Sequence, residues 1–297
     1  MIEVVPDVRD VEAWRPAAAD RMLARRLAAG VPEGRAREGV AWQIARSDEI
    51  RSQPWSVRRD GDEVGTAWTL ARDDVRHLLD LDVPVGLAAQ ALDALREVLR
   101  SDDGRHLVVD VFSGDDVASA AIAGVDVPVQ AAQMQLDVTA PVATPGRVEL
   151  RPLTAAEFGT YREHLVTGYA QEMFEAGSYD DLPAALAASE QATADLLPQG
   201  PDTPRHHLWT AYDGDVPVAV LWVHEEGSFA YIYDIEVRPE HRRRGYGREV
   251  LDAGALAARD LGARVLGLNV FGHNEGARAM YEQAGYAVTE LTYRIAL

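Results

Sequence analysis

The sequence contains no cysteine among its 297 residues. It therefore has no disulfide, no thiolate nucleophile and no cysteine-ligated zinc site. An acyl-cysteine intermediate is also excluded, so an acyl transfer would be direct unless another residue served as the nucleophile. Lysine is absent as well: all 29 basic residues are arginine, which we attribute to a compositional bias and not to a site.

Long apolar runs are missing too. No stretch reaches the roughly eighteen apolar residues that a membrane span needs, and the N-terminus, MIEVVPDVRD, lacks a basic-then-apolar signal pattern. We therefore expect a cytoplasmic protein with no membrane partner. The net charge of −19 argues against a nucleic-acid partner. That charge is compatible with a cationic or amine substrate, although solubility alone also explains it.

The most informative stretch is YIYDIEVRPEHRRRGYG, residues 231–247. Aromatic and β-branched residues predict a strand over 231–237, and Pro239 ends it because proline has no N–H for the ladder. Three arginines and two glycines follow, and an amphipathic helical pattern begins after them. The first N–H groups of a helix lack internal partners and carry partial positive charge. This strand–turn–helix therefore predicts a phosphate cradle.

Arg242, Gly245 and Gly247 match the Gln/Arg-x-x-Gly-x-Gly/Ala pattern of the GNAT superfamily of N-acetyltransferases. The segment resembles the loop with which that family holds the pyrophosphate of acyl-CoA. Downstream, a predicted strand over 264–270 leads into NVFGHNEGARAMYEQAGY, which is similar to the family's second cofactor motif along its whole length. Residues 147–297 are therefore identified as a GNAT domain.

The first half of the chain repeats the second. WSVRRDGDEVGTAWTL and LWTAYDGDVPVAVLWV both predict hairpins that turn on Asp-Gly, and residues 105–112 parallel residues 264–271. We predict an α/β (α+β) fold of two tandem GNAT-like domains, each a mixed, mostly antiparallel sheet flanked by helices. The predicted boundaries are 1–140, a proline-containing linker at 141–146, and 147–297.

The two copies are unequal. Pro84-Val85-Gly86 stands where the second copy has its arginine loop, and Ser113-Gly114-Asp115-Asp116 places two carboxylates where a helix should start. Carboxylates there repel a phosphate. We expect the N-terminal half to be a degenerate copy without an acyl-CoA site and with an architectural role. A tandem chain with one degenerate half resembles mycothiol synthase.

The helices predicted at 154–176 and 183–197 line the acceptor side of the cleft in the family that the chain resembles. Thr154 and Glu157 have the spacing of a capping box at the start of the first one. Four large side chains follow at helical spacing, and their default assignment is to the core rather than to substrate contact: Tyr161, Tyr169, Met173 and Phe174.

The resemblance also implies site residues. Tyr281 matches the tyrosine that protonates the coenzyme A thiolate, unless it is only a core residue of its helix. Asn274 matches an asparagine that contacts the pantetheine arm, although capping its helix is the safer interpretation. The cofactor-binding residues that the resemblance implies are Ile235, Val237, Arg242, Arg243, Arg244, Gly245, Tyr246, Gly247, Arg248 and Asn274.

The sequence leaves the general base open. Family members often carry a glutamate on the strand before the loop, facing the cleft, or on the next strand. At those positions this chain has Tyr231, Tyr233 and Asn269, none of them a carboxylate. By the two-residue period of a strand, Asp234 and Glu236 should face the other way, unless a bulge re-aims them. We predict that the amine loses its proton through a water chain, with Glu236 as the candidate catalytic carboxylate.

These observations predict an N-acetyltransferase that transfers an acetyl group from acetyl-CoA directly to a primary amine of a small molecule. No metal is expected, and the protein would be a monomer or a homodimer. The alternative is a non-catalytic acyl-CoA-binding regulatory module, which the missing carboxylate favours and Tyr281 disfavours. The acceptor pocket carries no diagnostic motif, so the sequence does not identify the amine.

Overall fold

A computed structural model describes residues 1–9, 11–101, 103–144 and 146–297. The described chain forms two compact units, an N-terminal unit of residues 1–132 and 288–297 and a C-terminal unit of residues 133–287. Pro145 of the predicted linker lies outside the described residues. No helix in the described ranges is long and apolar enough to cross a membrane.

The first half of the chain contains, in order, β1 (Ile2–Pro6), α1 (Val11–Ala28), α2 (Glu33–Glu49), β2 (Ser52–Arg59), β3 (Asp62–Arg72), β4 (Val75–Asp82), α3 (Ala88–Ser101), β5 (His106–Phe112), α4 (Asp116–Ile122) and β6 (Val129–Asp137). The second half contains β7 (Val148–Pro152), α5 (Ala155–Glu175), α6 (Leu182–Leu196), β8 (His206–Asp213), β9 (Val216–Glu226), β10 (Phe229–Val237), α7 (Tyr246–Asp260), β11 (Val265–Phe271), α8 (Glu275–Gln283) and β12 (Ala287–Ala296). Short 3-10 helices lie at Val85–Leu87, Gly200–Asp202 and Pro239–His241.

The two units have the same sheet topology. In the N-terminal unit the strand order is β1-β2-β3-β4-β5-β12, antiparallel throughout except for the parallel pair β4–β5. In the C-terminal unit the order is β7-β8-β9-β10-β11-β6, and the parallel pair is β10–β11. The predicted fold class, two tandem mixed sheets flanked by helices, is confirmed.

The last strand of each unit comes from the other half of the chain. β12 pairs antiparallel with β5 over seven residues, from Glu290 opposite Phe112 to Ala296 opposite His106. Ile295 on this strand is 2% exposed and belongs to the core of the N-terminal unit. The predicted second domain, 147–297, therefore differs from the compact C-terminal unit at its end, because the hydrogen bonds and the apolar side chains of β12 belong with β5.

Helices cover the sheet of each unit. In the N-terminal unit, α3 buries a stripe at helical spacing that includes Leu92, Leu95 and Leu99. A separate cluster joins α1 and α2 around Trp68. In the C-terminal unit, α5 and the loop after α6 pack around Trp222. Helix α7 lies close to β9, since a Cβ on Gly254 would come within 2.8 Å of Leu221 Cδ2.

Most local predictions agree with the structure. Thr154 and Glu157 form the predicted capping box at the start of α5. The turn of the second hairpin is Gly214-Asp215 and not Asp213-Gly214, because Asp213 is the last residue of β8. The core assignment on α5 holds for Tyr161 and Met173 but is wrong for Tyr169 and Phe174, which are 43% and 39% exposed. A helix that packs one stripe against a sheet cannot bury all four positions.

Candidate active site

A β-bulge in β10 determines which side chains face α5. Ile232 stands opposite Val223 of β9, and the next paired residue is Asp234, opposite Trp222, so Tyr233 is the extra residue. Tyr231 stands opposite His224. Because His224 and Trp222 are two residues apart on β9, their partners Tyr231 and Asp234 lie on the same face of the sheet. The bulge has re-aimed Asp234 towards the face that carries Trp222.

The N-terminal unit contains a β-bulge at the corresponding position. There the register of β3 and β4 shifts beside Trp68, which stands opposite Asp80, and Leu79 is the extra residue. The two aspartates differ in their surroundings. Asp80 is 2% exposed and is held by Arg21 and Arg25 of α1, with Nη2–Oδ distances of 2.5 and 2.6 Å.

Asp234 is partly buried and its partner is a phenol. The Tyr161 hydroxyl, on α5, donates to Asp234 Oδ2 over 3.0 Å. Burial raises the pKa of Asp234 to about 7, and the negative charges of Glu236 and Glu172 act in the same direction, while the hydrogen bond from Tyr161 opposes them. A carboxyl group with a pKa near neutrality can exchange a proton at physiological pH, as a general base must.

Tyr281 lies on α8 and is 7% exposed. Burial raises its pKa, and the charges of Asp234 and Glu172 raise it further. Both carboxylates are therefore close enough to act on the phenol, which stays protonated across the physiological range. Among the described residues, no hydrogen-bond partner is found for its hydroxyl group. A neutral O–H donor thus accompanies the carboxyl group of Asp234.

The strands β10 and β11 separate beside these residues. They pair in parallel over four residues each, Phe229–Ile232 with Val265–Leu268. Beyond Ile232 the partner of β10 is β9 alone in the described residues, with Ile235 opposite Leu221 and Val237 opposite Ala219. The edge of β10 at the predicted positions Ile235 and Val237 thus borders an opening in the sheet, where backbone amides can pair with an extended ligand.

The loop between β10 and α7 has the backbone geometry of an anion cradle. Arg243 and Gly245 have positive φ angles, +62° and +89°. Gly245 is the N-cap of α7, and no side chain caps the helix there. The first-turn N–H groups of α7 and its dipole are consequently available to a phosphate. Asn274 caps α8 by accepting from the Ala277 N–H at 3.2 Å, in agreement with the safer interpretation.

The four predicted arginines separate into two pairs. Arg243 and Arg244 are exposed, and the structure gives their side chains no partner within the described residues. Arg242 donates to the Val237 carbonyl and to Glu236, at 3.0 Å each. Arg248 bonds Asp252 and the Gln283 carbonyl. Of these four, Arg243 and Arg244 therefore present guanidinium groups without a partner among the described residues.

Two further positions of the loop are shaped by packing. The Tyr246 hydroxyl donates to Asp213 at 2.7 Å, and its ring lies under the guanidinium of Arg147, so only the backbone of Tyr246 can serve a ligand at the loop. A Cβ on Gly247 would come within 3.0 Å of Met280 Sδ. Glycine at this position lets α8 approach the first turn of α7.

Glu236 lies on the same face of β10 as Asp234, two residues further on. It is exposed, and its carboxylate forms an ion pair with Arg242 at 3.0 Å. Its assignment as the catalytic carboxylate stays a prediction, but Asp234 has the better surroundings for a base. No role for Asp234 was predicted from the sequence. A signal was present: the pair Trp68 and Asp80 recurs at the same spacing as Trp222 and Asp234. No group of three or more potential metal ligands that could hold an ion occurs among the described residues.

Comparison with known proteins gives this site a family. The model of the acetyltransferase (GNAT) family matches residues 169–286. YycN of Bacillus subtilis (strain 168), an uncharacterized N-acetyltransferase, is 39% identical over 150 residues, which are 48% of this chain and 95% of YycN. The chain belongs to the GNAT family. As a GNAT N-acetyltransferase it is an acyltransferase.

Two other relatives extend the comparison. Mycothiol acetyltransferase of Propionibacterium freudenreichii subsp. shermanii is 44% identical over 57 residues, or 19% of this GNAT chain and 18% of that protein. The crystal structure of a GCN5-related N-acetyltransferase from Sphaerobacter thermophilus matches 99% of the chain and 95% of its own, with a TM-score of 0.59 and 16% identity. At that identity the likeness concerns the fold alone, and it extends over both halves of the chain.

Proposed function

We propose that this GNAT enzyme transfers the acetyl group of acetyl-CoA to a primary amine of a small molecule by direct attack. The observation that carries the proposal is the pair of Asp234, at the bulge of β10, and the buried phenol of Tyr281, on which the charge of Asp234 acts. One is a carboxyl group whose pKa is about 7, and the other is a protonated phenol. Acyl transfer to an amine needs both a proton acceptor and a proton donor.

The cosubstrate fits the residues at the loop. The uncapped N-terminus of α7, the left-handed backbone at Gly245 and the exposed guanidinium groups of Arg243 and Arg244 together favour a pyrophosphate. In this proposal Ile235 and Val237 bind the pantetheine arm through their backbone groups. Arg242 and Arg248 then act mainly on the loop itself, by holding Val237 and the end of α8.

The proposed reaction begins at Asp234, which accepts a proton from the ammonium form of the acceptor. The neutral nitrogen attacks the thioester carbonyl carbon, and the carbon–sulfur bond breaks. Tyr281 donates its phenolic proton to the departing thiolate, and the extra proton on the new amide nitrogen restores the phenol through solvent. Asp234 releases its proton to solvent, so the products are an N-acetyl amine, a free thiol and one proton.

Asp234 and Tyr281 are electrostatically coupled in this scheme. The charge on Asp234 is one of the causes that raise the Tyr281 pKa. When Asp234 accepts the amine proton, that charge disappears and the phenol becomes a stronger acid. The first proton transfer therefore prepares the second one. A carboxyl group at the bulge of β10 supports the enzyme over the alternative of a non-catalytic module, because that alternative rested on a missing carboxylate.

The N-terminal unit has no acyl-CoA site in this proposal. Arg25 neutralises Asp80 and reaches the carbonyl of the bulged residue Leu79, with Nη2 at 3.4 Å from that oxygen. The helix that follows β4 starts after a 3-10 turn, Val85–Leu87, that carries no arginine. A guanidinium group of the unit itself thus lies beside the bulge of β4. A cytoplasmic location likewise stays a prediction from the sequence.

The test is release of free thiol from acetyl-CoA across a panel of small amines, together with calorimetric titration of coenzyme A. We expect thiol release with at least one amine and one coenzyme A bound per chain. Tyr281→Phe should lower kcat by about 100-fold and leave the coenzyme A affinity within about twofold. Coenzyme A binding without thiol release from any amine would support the regulatory module instead, and two bound coenzymes per chain would contradict the degenerate N-terminal site.

A further inference from the structure

The face of the sheet beside Asp234 is a continuous aromatic surface. Tyr233, the bulged residue, stacks on Trp222 with ring centroids 4.7 Å apart and meets Tyr231 edge-on at 5.1 Å. The ring centroids of His206 and His224 lie 4.4 Å apart. Their distances from the ring centroid of Tyr233 are 6.0 Å for His206 and 6.3 Å for His224. Tyr233 is 39% exposed, so its ring is accessible to a ligand, while Trp222 beneath it is buried.

Helix α5 supplies a second aromatic ring and a carboxylate. Tyr169 is exposed, and its ring lies 6.0 Å from that of Phe271. Glu172 follows Tyr169 by three residues, so the two side chains are neighbours on α5, and the hydrogen bond from Tyr161 to Asp234 brings this helix to the bulge of β10. Burial of its hydroxyl raises the pKa of Tyr169, and Tyr179, Glu172 and Tyr233 contribute in the same direction. Glu172 also acts on Asp234 and Tyr281. Tyr169, Glu172 and Tyr233 are called the cation cleft below.

Negative charge predominates at the cation cleft, because the neighbouring bases are neutral or paired. Trp222 Nε1 donates to His206 Nδ1 at 2.9 Å, and burial together with His224, His207 and Arg205 lowers the His206 pKa to about 4. His206 is thus a neutral ring at physiological pH. Arg242 pairs with Glu236, Arg205 with Glu226, and His273 lies 3.6 Å from Glu175.

A second observation marks where a ligand enters. Tyr281 is more than nine-tenths buried, its hydroxyl lacks a partner among the described residues, and the charges of Asp234 and Glu172 both act on it. The reacting amine therefore belongs at Asp234 and Tyr281. An acceptor that extends from Asp234 along α5 would meet the exposed rings of Tyr169 and Tyr233.

We propose that the acceptor carries a second cationic group, an ammonium or a guanidinium, which binds in the cation cleft while the reacting amine lies at Asp234. Aromatic faces attract cations through their quadrupole, and a nearby carboxylate adds a charge-assisted contact. An acceptor with a carboxylate at that position would meet Glu172 and be repelled. The inference depends on the proposed acetyl transfer, whose site it shares, and it names the substrate class: a diamine or an aminoguanidine.

The experiment compares four-carbon acceptors that differ only at the far end: butylamine, 1,4-diaminobutane, agmatine and 4-aminobutyrate. The measurement is kcat/KM from thiol release. We expect the two dicationic acceptors to exceed butylamine by about tenfold and 4-aminobutyrate to fall below it. In Glu172→Gln and in Tyr233→Leu, the ratio between diaminobutane and butylamine should drop to within about threefold.

Glu163→Gln is the matched control, since Glu163 is an exposed residue elsewhere on α5. It should keep the wild-type ratio. Equal rates for butylamine and diaminobutane would overturn the proposal, as would an unchanged ratio in both cleft variants.

Binding of tetramethylammonium to the coenzyme A complex, followed by NMR titration, separates this inference from the transferase proposal. If no amine reacts but tetramethylammonium binds, and Glu172→Gln weakens that binding, the cation cleft stands and acetyl transfer fails. If amines react but the ammonium ion does not bind, acetyl transfer stands and the cation cleft fails.

Discussion

The Tyr161 hydroxyl donates a hydrogen bond of 3.0 Å to Oδ2 of Asp234. This contact joins α5 to the bulge of β10. It distinguishes the C-terminal unit from the N-terminal unit, where two arginines of α1 form ion pairs with the corresponding aspartate, Asp80. Two guanidinium groups pair with the carboxylate of Asp80, whereas the phenol of Tyr161 only moderates the effect of burial on Asp234. One difference between the two units is thus the partner of this carboxyl group.

Asp234→Asn should abolish the acidic limb of the pH–rate profile. A base acts only when it is deprotonated, and burial raises the Asp234 pKa to about 7. In the wild type, kcat/KM should therefore fall about tenfold per pH unit below that value and level off above it. The asparagine variant should lose about 100-fold or more in kcat and show no limb near neutrality.

Glu236→Gln is the companion variant, because it separates the two carboxylates of β10. If Asp234 is the base, the limb stays in place in the glutamine variant. Loss of the limb in Glu236→Gln, with Asp234→Asn still active, would reverse the assignment.

Tyr161→Phe should move the same limb to higher pH. The hydrogen bond from Tyr161 lowers the Asp234 pKa against burial, so removing it raises that pKa. We expect a shift of up to about one pH unit, with kcat at high pH within a few-fold of the wild type. Since phenylalanine keeps the ring in the core, the loss of stability should be only about 1 kcal/mol. A limb that does not move would show that Tyr161 serves packing alone.

Gly245→Ala should weaken coenzyme A binding, measured by calorimetric titration. Gly245 has a φ of +89°, a conformation that side chains with a Cβ disfavour by about 1 kcal/mol. The resulting shift of the backbone would misdirect the first N–H groups of α7, and affinity should fall about tenfold or more.

Gly262→Ala is the matched control for this strain. Gly262 has a φ of +97°, lies in open space and follows the other end of α7. Both variants should lose similar stability in thermal unfolding, but only Gly245→Ala should lose affinity. Equal affinities in the two variants would exclude the loop backbone from binding the cosubstrate.

Ile295→Ala should destabilise the N-terminal unit, although residue 295 is at the opposite end of the chain. Ile295 is 2% exposed within the core built by α3 and β5. Truncating a buried isoleucine costs about 2–5 kcal/mol. Hydrogen exchange followed by mass spectrometry should show faster exchange in peptides from residues 1–132. Faster exchange confined to residues 133–287 would contradict the exchange of last strands between the units.

Contiguous features of the sequence determined the loop before α7, the caps and the secondary structure. The loop from Arg242 to Gly247, the capping box of Thr154 and the helix Glu275–Gln283 depend on residues within one or two turns of each other. Such interactions are encoded locally, so their patterns can be read directly. The repeat of the two halves likewise followed from comparing short segments, and with it the fold class.

Only the tertiary structure decided which way Asp234 faces and which side chains surround it. One inserted residue in β10 turned Asp234 to the face of Trp222, and whether a strand bulges depends on its pairing with a neighbour and not on its own pattern. Tyr161 meets Asp234 across 73 residues of chain, and β12 completes the sheet of the opposite half. These are long-range contacts, and they are set by packing and backbone pairing rather than by residues that adjoin in the sequence.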